Sequence, residues 1–140
     1  MGKLLGLDFG LKRVGYAVSD ESHTIVFPRG ILQKNPKERF FKEIAKIIKD
    51  EGIEKIIIGI PLDEDNNETH ISASARKLGE ELRSAFGLAI AYTDEFNTTS
   101  EAIAKIPFKK DRAAKKGWRD AVAAQLILER YLGVPLLGRE

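Results

Sequence analysis

KLLGLDFGLKRVGYAVS, Lys3 to Ser19, reads as two strands joined by a turn. Lys3 to Asp8 is an apolar run that ends in a carboxylate, Phe9 to Lys12 makes the turn, and Val14 to Ser19 runs back. Asp20 to His23 supplies a second turn and Thr24 to Leu32 a third strand. Two tight connections in succession predict an antiparallel meander.

The period then changes. Asn35 suits an N-cap and Pro36 a first helical position. Phe40, Ile44, Ile47 and Ile48 recur at helical spacing up to Gly52, a natural stop. Lys55 to Ile60, KIIIGI, is nearly all apolar, as a central strand buried on both faces must be, and Pro61 ends it. Asp63 to Glu68 is a polar loop. Ala75, Leu78, Leu82 and Phe86 mark a second helix closed by Gly87, and Leu88 to Thr93 a fifth strand. Thr98 to Lys105 reads as a short helix, the following basic stretch as a long connection, and Arg119 to Leu132 as the last helix. The expected architecture is α/β: a mixed five-stranded sheet, three antiparallel strands and then strands with helical crossovers, flanked by helices on both faces.

The chain has 140 residues, 43% hydrophobic and 31% charged, which suits one domain over residues 1–140 and excludes disorder. No apolar stretch is long enough to span a bilayer, and the start resembles no secretory signal, so a cytoplasmic protein without a membrane partner is expected. Without cysteine and with only His23 and His70, both expected in polar loops, any metal must be held by oxygen. The net charge is only +2, yet the segment Lys105–Arg119 alone carries +6, with Asp111 its one acid. Such a local concentration points to an anionic partner, although a solvated surface has the same composition.

Three acidic positions fall where a sheet-based site needs them. Asp8 ends the first strand, Asp94 and Glu95 end the fifth, and Asp120 opens the last helix on the stripe of Ala123, Ala124 and Ile127. If they converge, their oxygens suit Mg²⁺ or Mn²⁺, and such a centre serves phosphodiester hydrolysis. Each also has a plainer use. Asp8 can be a turn former before Phe9-Gly10, Asp94 or Glu95 part of a helix cap, and Asp120 a cap or dipole partner. Neighbours on a strand point opposite ways, so at least one of Asp94 and Glu95 is structural. Asp63, Glu64, Asp65 and Glu68 read as a solvated loop. Trp118 and Phe108 interleave with the basic residues and have the chemistry to stack on bases, but burial against the last helix is the simpler expectation for them.

GLDFGLKRVGYAVSD (Gly6–Asp20), IIIGIPL (Ile56–Leu62), YTDEFNTTSEA (Tyr92–Ala102) and RDAVAAQLILERYL (Arg119–Leu132) together resemble, in order and spacing, the YqgF/RuvX family over almost the whole chain. That resemblance implies an RNase H-like fold, related to the RuvC Holliday-junction resolvases, and a two-metal nuclease site. It carries the catalytic and metal-ligand roles onto Asp8, Glu95 and Asp120, with Asp94 as ligand or support. The substrate it implies is structured RNA, the 5′ end of precursor 16S rRNA, or else branched DNA. Phosphate contacts are expected from Lys12, Arg13, Lys109, Lys110, Arg112, Lys115, Lys116 and Arg119. Three departures bear on substrate and turnover: Phe96 follows Asp94-Glu95 in place of arginine, Ala121 and Ala123 replace two serines after Asp120, and Asn66-Asn67 stand where the loop after Leu62 usually has glycine. The expected nucleophile is water, since the chain offers no better one. A Holliday-junction resolvase, which needs a two-fold dimer, and a non-catalytic nucleic-acid adaptor are the competing readings; whether the protein is a monomer or a dimer is not legible. An actin-like ATPase is a further competing reading, disfavoured because it needs two such domains and 140 residues supply one.

Overall fold

A computed structural model describes residues 2–10, 12–61, 65, 67, 69–95 and 112–133. Five strands form one sheet: β1 (Lys3–Phe9), β2 (Arg13–Ser19), β3 (Val26–Gln33), β4 (Ile53–Pro61) and β5 (Ala89–Glu95), ordered β3-β2-β1-β4-β5. β1 to β3 are antiparallel, and β4 and β5 run parallel to β1. Helices α1 (Lys37–Glu51) and α2 (His70–Phe86) follow β3 and β4, and α3 (Arg112–Leu132) is the last element among the described residues. This is the mixed sheet expected from the sequence.

Alternation along each strand sorts the core into two layers. Leu5, Leu7, Phe9, Val14, Val18, Ile56, Ile58 and Ile60 pack with Phe40 and Ile44 of α1 and Ala75, Leu78 and Leu82 of α2. Leu4, Ala17, Val26 and Ile57 pack with Ala124, Ile127 and Leu128 of α3 on the opposite face. β4 therefore has to be apolar on both sides. Ile56, Ile57 and Ile58 are each 0% exposed, and each contributes about 2 kcal/mol by leaving water.

Local chemistry fixes the element ends. Thr69 accepts from the backbone N–H of Ile71 and Ser72, and the Ser72 hydroxyl accepts from the Thr69 N–H, a reciprocal cap that starts α2. Gly52 and Gly87 close α1 and α2 in the left-handed conformation, at φ 71° and 66°. The buried Ser19 hydroxyl accepts from Leu4 N–H at 2.8 Å and donates to the Asp20 carbonyl. Asp20 takes the backbone N–H of Thr24 and Ile25 and the hydroxyl of Ser22. The Ser-Asp end of the first motif is thus scaffolding for the β2–β3 turn.

Several boundaries differ from the sequence reading. β3 starts at Val26 and not Thr24, because Asp20 gathers Thr24 and Ile25 into the turn. Pro36, with no side-chain cap, occupies the position before α1 expected of Asn35. His70 is the first residue of α2 and not a loop residue, since the Thr69 cap begins the helix there. His23 does lie in a turn, its Nε2 2.8 Å from the Gly2 carbonyl. β5 runs on to Glu95, held by pairing of Asp94 with Ile60 and of Glu95 with Pro61. The largest correction is α3: it begins at Arg112, seven residues before the expected start. Arg112, Ala113, Ala114, Lys115 and Lys116 are strong helix formers, a propensity that their reading as a charge run conceals. The expected helix Thr98–Lys105 lies outside the described residues. Among those described, no helix is long and apolar enough to cross a membrane.

Candidate metal and nucleic-acid site

β1, β4 and β5 are parallel, so their C-terminal ends lie at one edge of the sheet, where α/β folds place ligands. Asp8 stands there, opposite Gly15 on β2 and Gly59 on β4. Gly59 in turn pairs with Thr93, which puts Asp94 and Glu95 one and two residues past the Asp8 row. β4 intervenes between the first and fifth strands.

Asp120 reaches this edge from above. It is the ninth residue of α3 and not its opening residue, which removes the cap and dipole reading, since that effect fades within the first turn. From Ala121 to Glu129 the helix is buried at every position. Two strand glycines let it lie this close. A Cβ on Gly6 would stand 2.5 Å from Leu128 Cγ, and one on Gly15 would stand 2.0 Å from the Asp120 carbonyl oxygen and 3.0 Å from its Cβ. Asp120 therefore rests on the residue directly opposite Asp8. Paired Cα atoms are about 5 Å apart and directly opposed residues face the same side, so Asp8 lies on the face of the sheet that α3 covers, beside the glycine on which Asp120 rests.

Asp120 Oδ2 is buried and accepts no hydrogen bond. Arg13 Nε lies 3.1 Å from it, both side chains being 27% exposed, in a charge contact that lacks hydrogen-bond alignment. A buried carboxylate oxygen without a hydrogen bond is an unsatisfied acceptor, and hard oxygen donors beside a second carboxylate fit Mg²⁺ or Mn²⁺. Among the described residues no group of three acidic or histidine side chains comes together. The third expected ligand, Glu95, is the last residue of β5, with Asp94 just before it.

Two of the expected cationic residues lie at the same edge. Arg13 begins β2 and Lys12, exposed, precedes it. Arg112, Lys115, Lys116 and Arg119 belong to the N-terminal part of α3. Arg119 is exposed. Lys109, Lys110 and Phe108 lie outside the described residues. Trp118 is 43% exposed, against the expectation of burial: it precedes the segment that packs all round. Lys34 joins this edge without any signal in the sequence. Its Nζ donates to the Gly10 carbonyl at 3.0 Å and sits 4.0 Å from the centre of the Phe9 ring, and burial holds its pKa below the usual lysine value. The sequence reading also misses Gly15 as the residue on which Asp120 packs, although a glycine inside a strand signals close approach of another backbone.

A model of the RuvX family, described as Holliday junction resolvase, matches residues 2–133. A protein of Klebsiella pneumoniae (strain 342) is 35% identical over 132 residues, 93% of this chain and 95% of its own. One of Maridesulfovibrio salexigens is 34% identical over 134 residues, 93% and 97% of the two chains. One of Aeromonas hydrophila subsp. hydrophila is 34% identical over 131 residues, 92% and 93%. All three are named "Putative pre-16S rRNA nuclease". Among solved structures, Thermus thermophilus RuvC in complex with Holliday junction substrate superposes with a TM-score of 0.57 at 12% identity, covering 93% of each chain. Fowlpox virus resolvase with its substrate Holliday junction DNA gives 0.51 at 12% identity, covering 94% of this chain and 97% of that one. These two likenesses establish a RuvC-like, RNase H-like fold.

Proposed function

The chain belongs to the RuvX family, and from that premise we propose that it is a metal-dependent nuclease acting on structured RNA, processing the 5′ end of precursor 16S rRNA in the cytoplasm. The observation that carries this reading is the seating of Asp120 on Gly15, directly across from Asp8, with a buried Oδ2 that no hydrogen bond satisfies. The names of the relatives supply the substrate class.

Asp8, Asp120 and Glu95 would hold Mg²⁺ or Mn²⁺, in a pair of sites. Glu95 serves as the β5 ligand, with Asp94 as ligand or support. When bound, the cations polarise the scissile phosphate and make water a competent nucleophile near neutral pH. The chain's own part is to fix the two carboxylates on rigid elements, a strand end and a buried helix, so that little reorganisation accompanies binding. Lys12, Arg13, Arg112, Lys115, Lys116 and Arg119, with Lys109 and Lys110, would hold the flanking phosphates. The acidic residues thus set cleavage, and the basic residues set affinity without reading sequence.

The test is cleavage by the purified protein of precursor rRNA beside a four-way DNA junction, each with Mn²⁺ and with chelator. Mn²⁺-dependent cleavage of the RNA, lost in Asp8→Asn and Asp120→Asn, is the expected result. Cleavage of the junction alone assigns the protein to DNA recombination, and tight binding without cleavage of either makes it an adaptor; both overturn the proposal.

A further inference from the structure

Arg13 forms an ion pair with Asp120, and it enters from β2, the strand on which Asp120 rests. Its place is set by the same alternation that sets Asp8: Arg13, Gly15 and Ala17 share the α3 face of β2, and Ala17 packs in the α3 core. The contact of 3.1 Å to Oδ2 is close but makes no hydrogen bond, and Oδ2 is buried. A guanidinium ordinarily grips a carboxylate through aligned N–H donors. Here it supplies charge without that grip.

We propose that Arg13 is a placeholder for the metal: it neutralises Asp120 before metal binds, is displaced from Oδ2 when a divalent cation arrives, and is then available to the phosphate of the substrate. This rests on the metal-site reading above. The charge argument is direct. A divalent cation coordinated by Oδ2 would stand a few ångströms from a guanidinium that cannot lose its proton, so the two cannot keep the same oxygen. The side chain has somewhere to go, because Arg13 is partly exposed at the sheet edge. A planar guanidinium freed beside a metal-bound phosphodiester matches that group's bidentate geometry. Arg13 is thus a positioning residue that couples metal loading to substrate binding, not a catalytic one.

The experiment measures Mn²⁺ binding to the full chain by electron paramagnetic resonance and by melting temperature, for the wild type, Arg13→Gln and Arg13→Lys, without nucleic acid. Removing a competitor worth a partly exposed ion pair should tighten Mn²⁺ binding of Arg13→Gln roughly two- to fivefold. Arg13→Lys, which keeps the charge, should stay near the wild type. With RNA added, Mn²⁺ should strengthen binding less in Arg13→Gln than in the wild type. Equal or weaker Mn²⁺ binding by Arg13→Gln, in a variant whose metal-free melting shows it folded, overturns the placeholder role while leaving the metal site standing. If Arg13→Gln is unfolded without metal, the comparison of Arg13→Lys with the wild type decides: a lysine variant that binds Mn²⁺ several-fold more weakly makes Arg13 a structural support and overturns the proposal. If no form binds Mn²⁺, the metal-site reading itself has failed and the placeholder falls with it.

Discussion

Replacing Gly15 by alanine should separate the two carboxylates without touching either. The new Cβ would stand 2.0 Å from the Asp120 carbonyl oxygen and 2.4 Å from its carbonyl carbon. An ordinary carbon–oxygen contact is about 3.3 Å, so the helix must rise by roughly 1.3 Å at Asp120. No side-chain rotation relieves this, because the obstacle is the backbone of a helix that is buried immediately downstream. Overpacking of this kind costs about 1–3 kcal/mol, and the rigid neighbour puts Gly15→Ala at about 3. Urea unfolding gives the stability, and the same titration with Mn²⁺ at 100 times its Kd gives the site: the wild type should gain about 2.7 kcal/mol. A tenfold loss of affinity in the variant reduces that gain to about 1.4 kcal/mol. Gly79→Ala is the control. Its Cβ would meet the Tyr92 hydroxyl at 2.2 Å, the far end of a side chain that can swing, on the opposite face of the sheet. It should lose stability and keep the full Mn²⁺ response. A folded Gly15→Ala protein with undiminished Mn²⁺ stabilisation and cleavage would refute a role for this glycine in seating Asp120 in a metal site.

Asp8→Asn keeps the shape of the side chain and removes its charge, so Mn²⁺ stabilisation should disappear in thermal melts and cleavage should fall by orders of magnitude. Replacing Lys109, Lys110, Lys115 and Lys116 by alanine should weaken binding to every nucleic acid tested and flatten the plot of log affinity against log salt by about 0.7–0.9 for each phosphate no longer neutralised; an unchanged slope assigns those lysines to solvent. Asp20 bears on pH. Hydrogen bonds from Ser22 and from the backbone of Ile25 and Thr24 hold its carboxyl well below the usual range. Its contribution is therefore complete above the ordinary aspartate pKa, near 4, and is lost as the pH falls toward the depressed folded value. Acid unfolding of Asp20→Asn should accordingly depend less steeply on pH below about 4 than that of the wild type.

The fold is legible in the sequence where a single pattern dictates a single answer. KIIIGI has no polar side to expose, so β4 has to be internal, and Ile56 to Ile58 are completely buried. The turns at Phe9–Lys12 and Asp20–His23 are too short for anything but antiparallel neighbours. The site is half legible. Residue type and strand ends mark Asp8 and the Asp94-Glu95 pair, but how far along the sheet edge that pair stands from Asp8 depends on register against β4, and register comes from pairing partners distant in the chain. Asp120 reads as a helix start because the preceding lysines and arginines look like a solvated run; their helix propensity is readable, but their charge outweighs it. Residue type alone puts Trp118 in the core and says nothing about where on α3 the all-round burial begins. Gly6 and Gly15 are visible as glycines inside strands, but only the position of α3 shows what approaches them.

The most direct test is the anomalous-scattering position of Mn²⁺ in a crystal of the wild-type protein soaked in the metal. Mn²⁺ should appear between the carboxylates of Asp8 and Asp120 at the C-terminal edge of β1, with Glu95 as a further ligand and Arg13 turned away from Asp120 Oδ2. Mn²⁺ bound only elsewhere, with Arg13 still against Asp120, would contradict a metal centre built on these carboxylates.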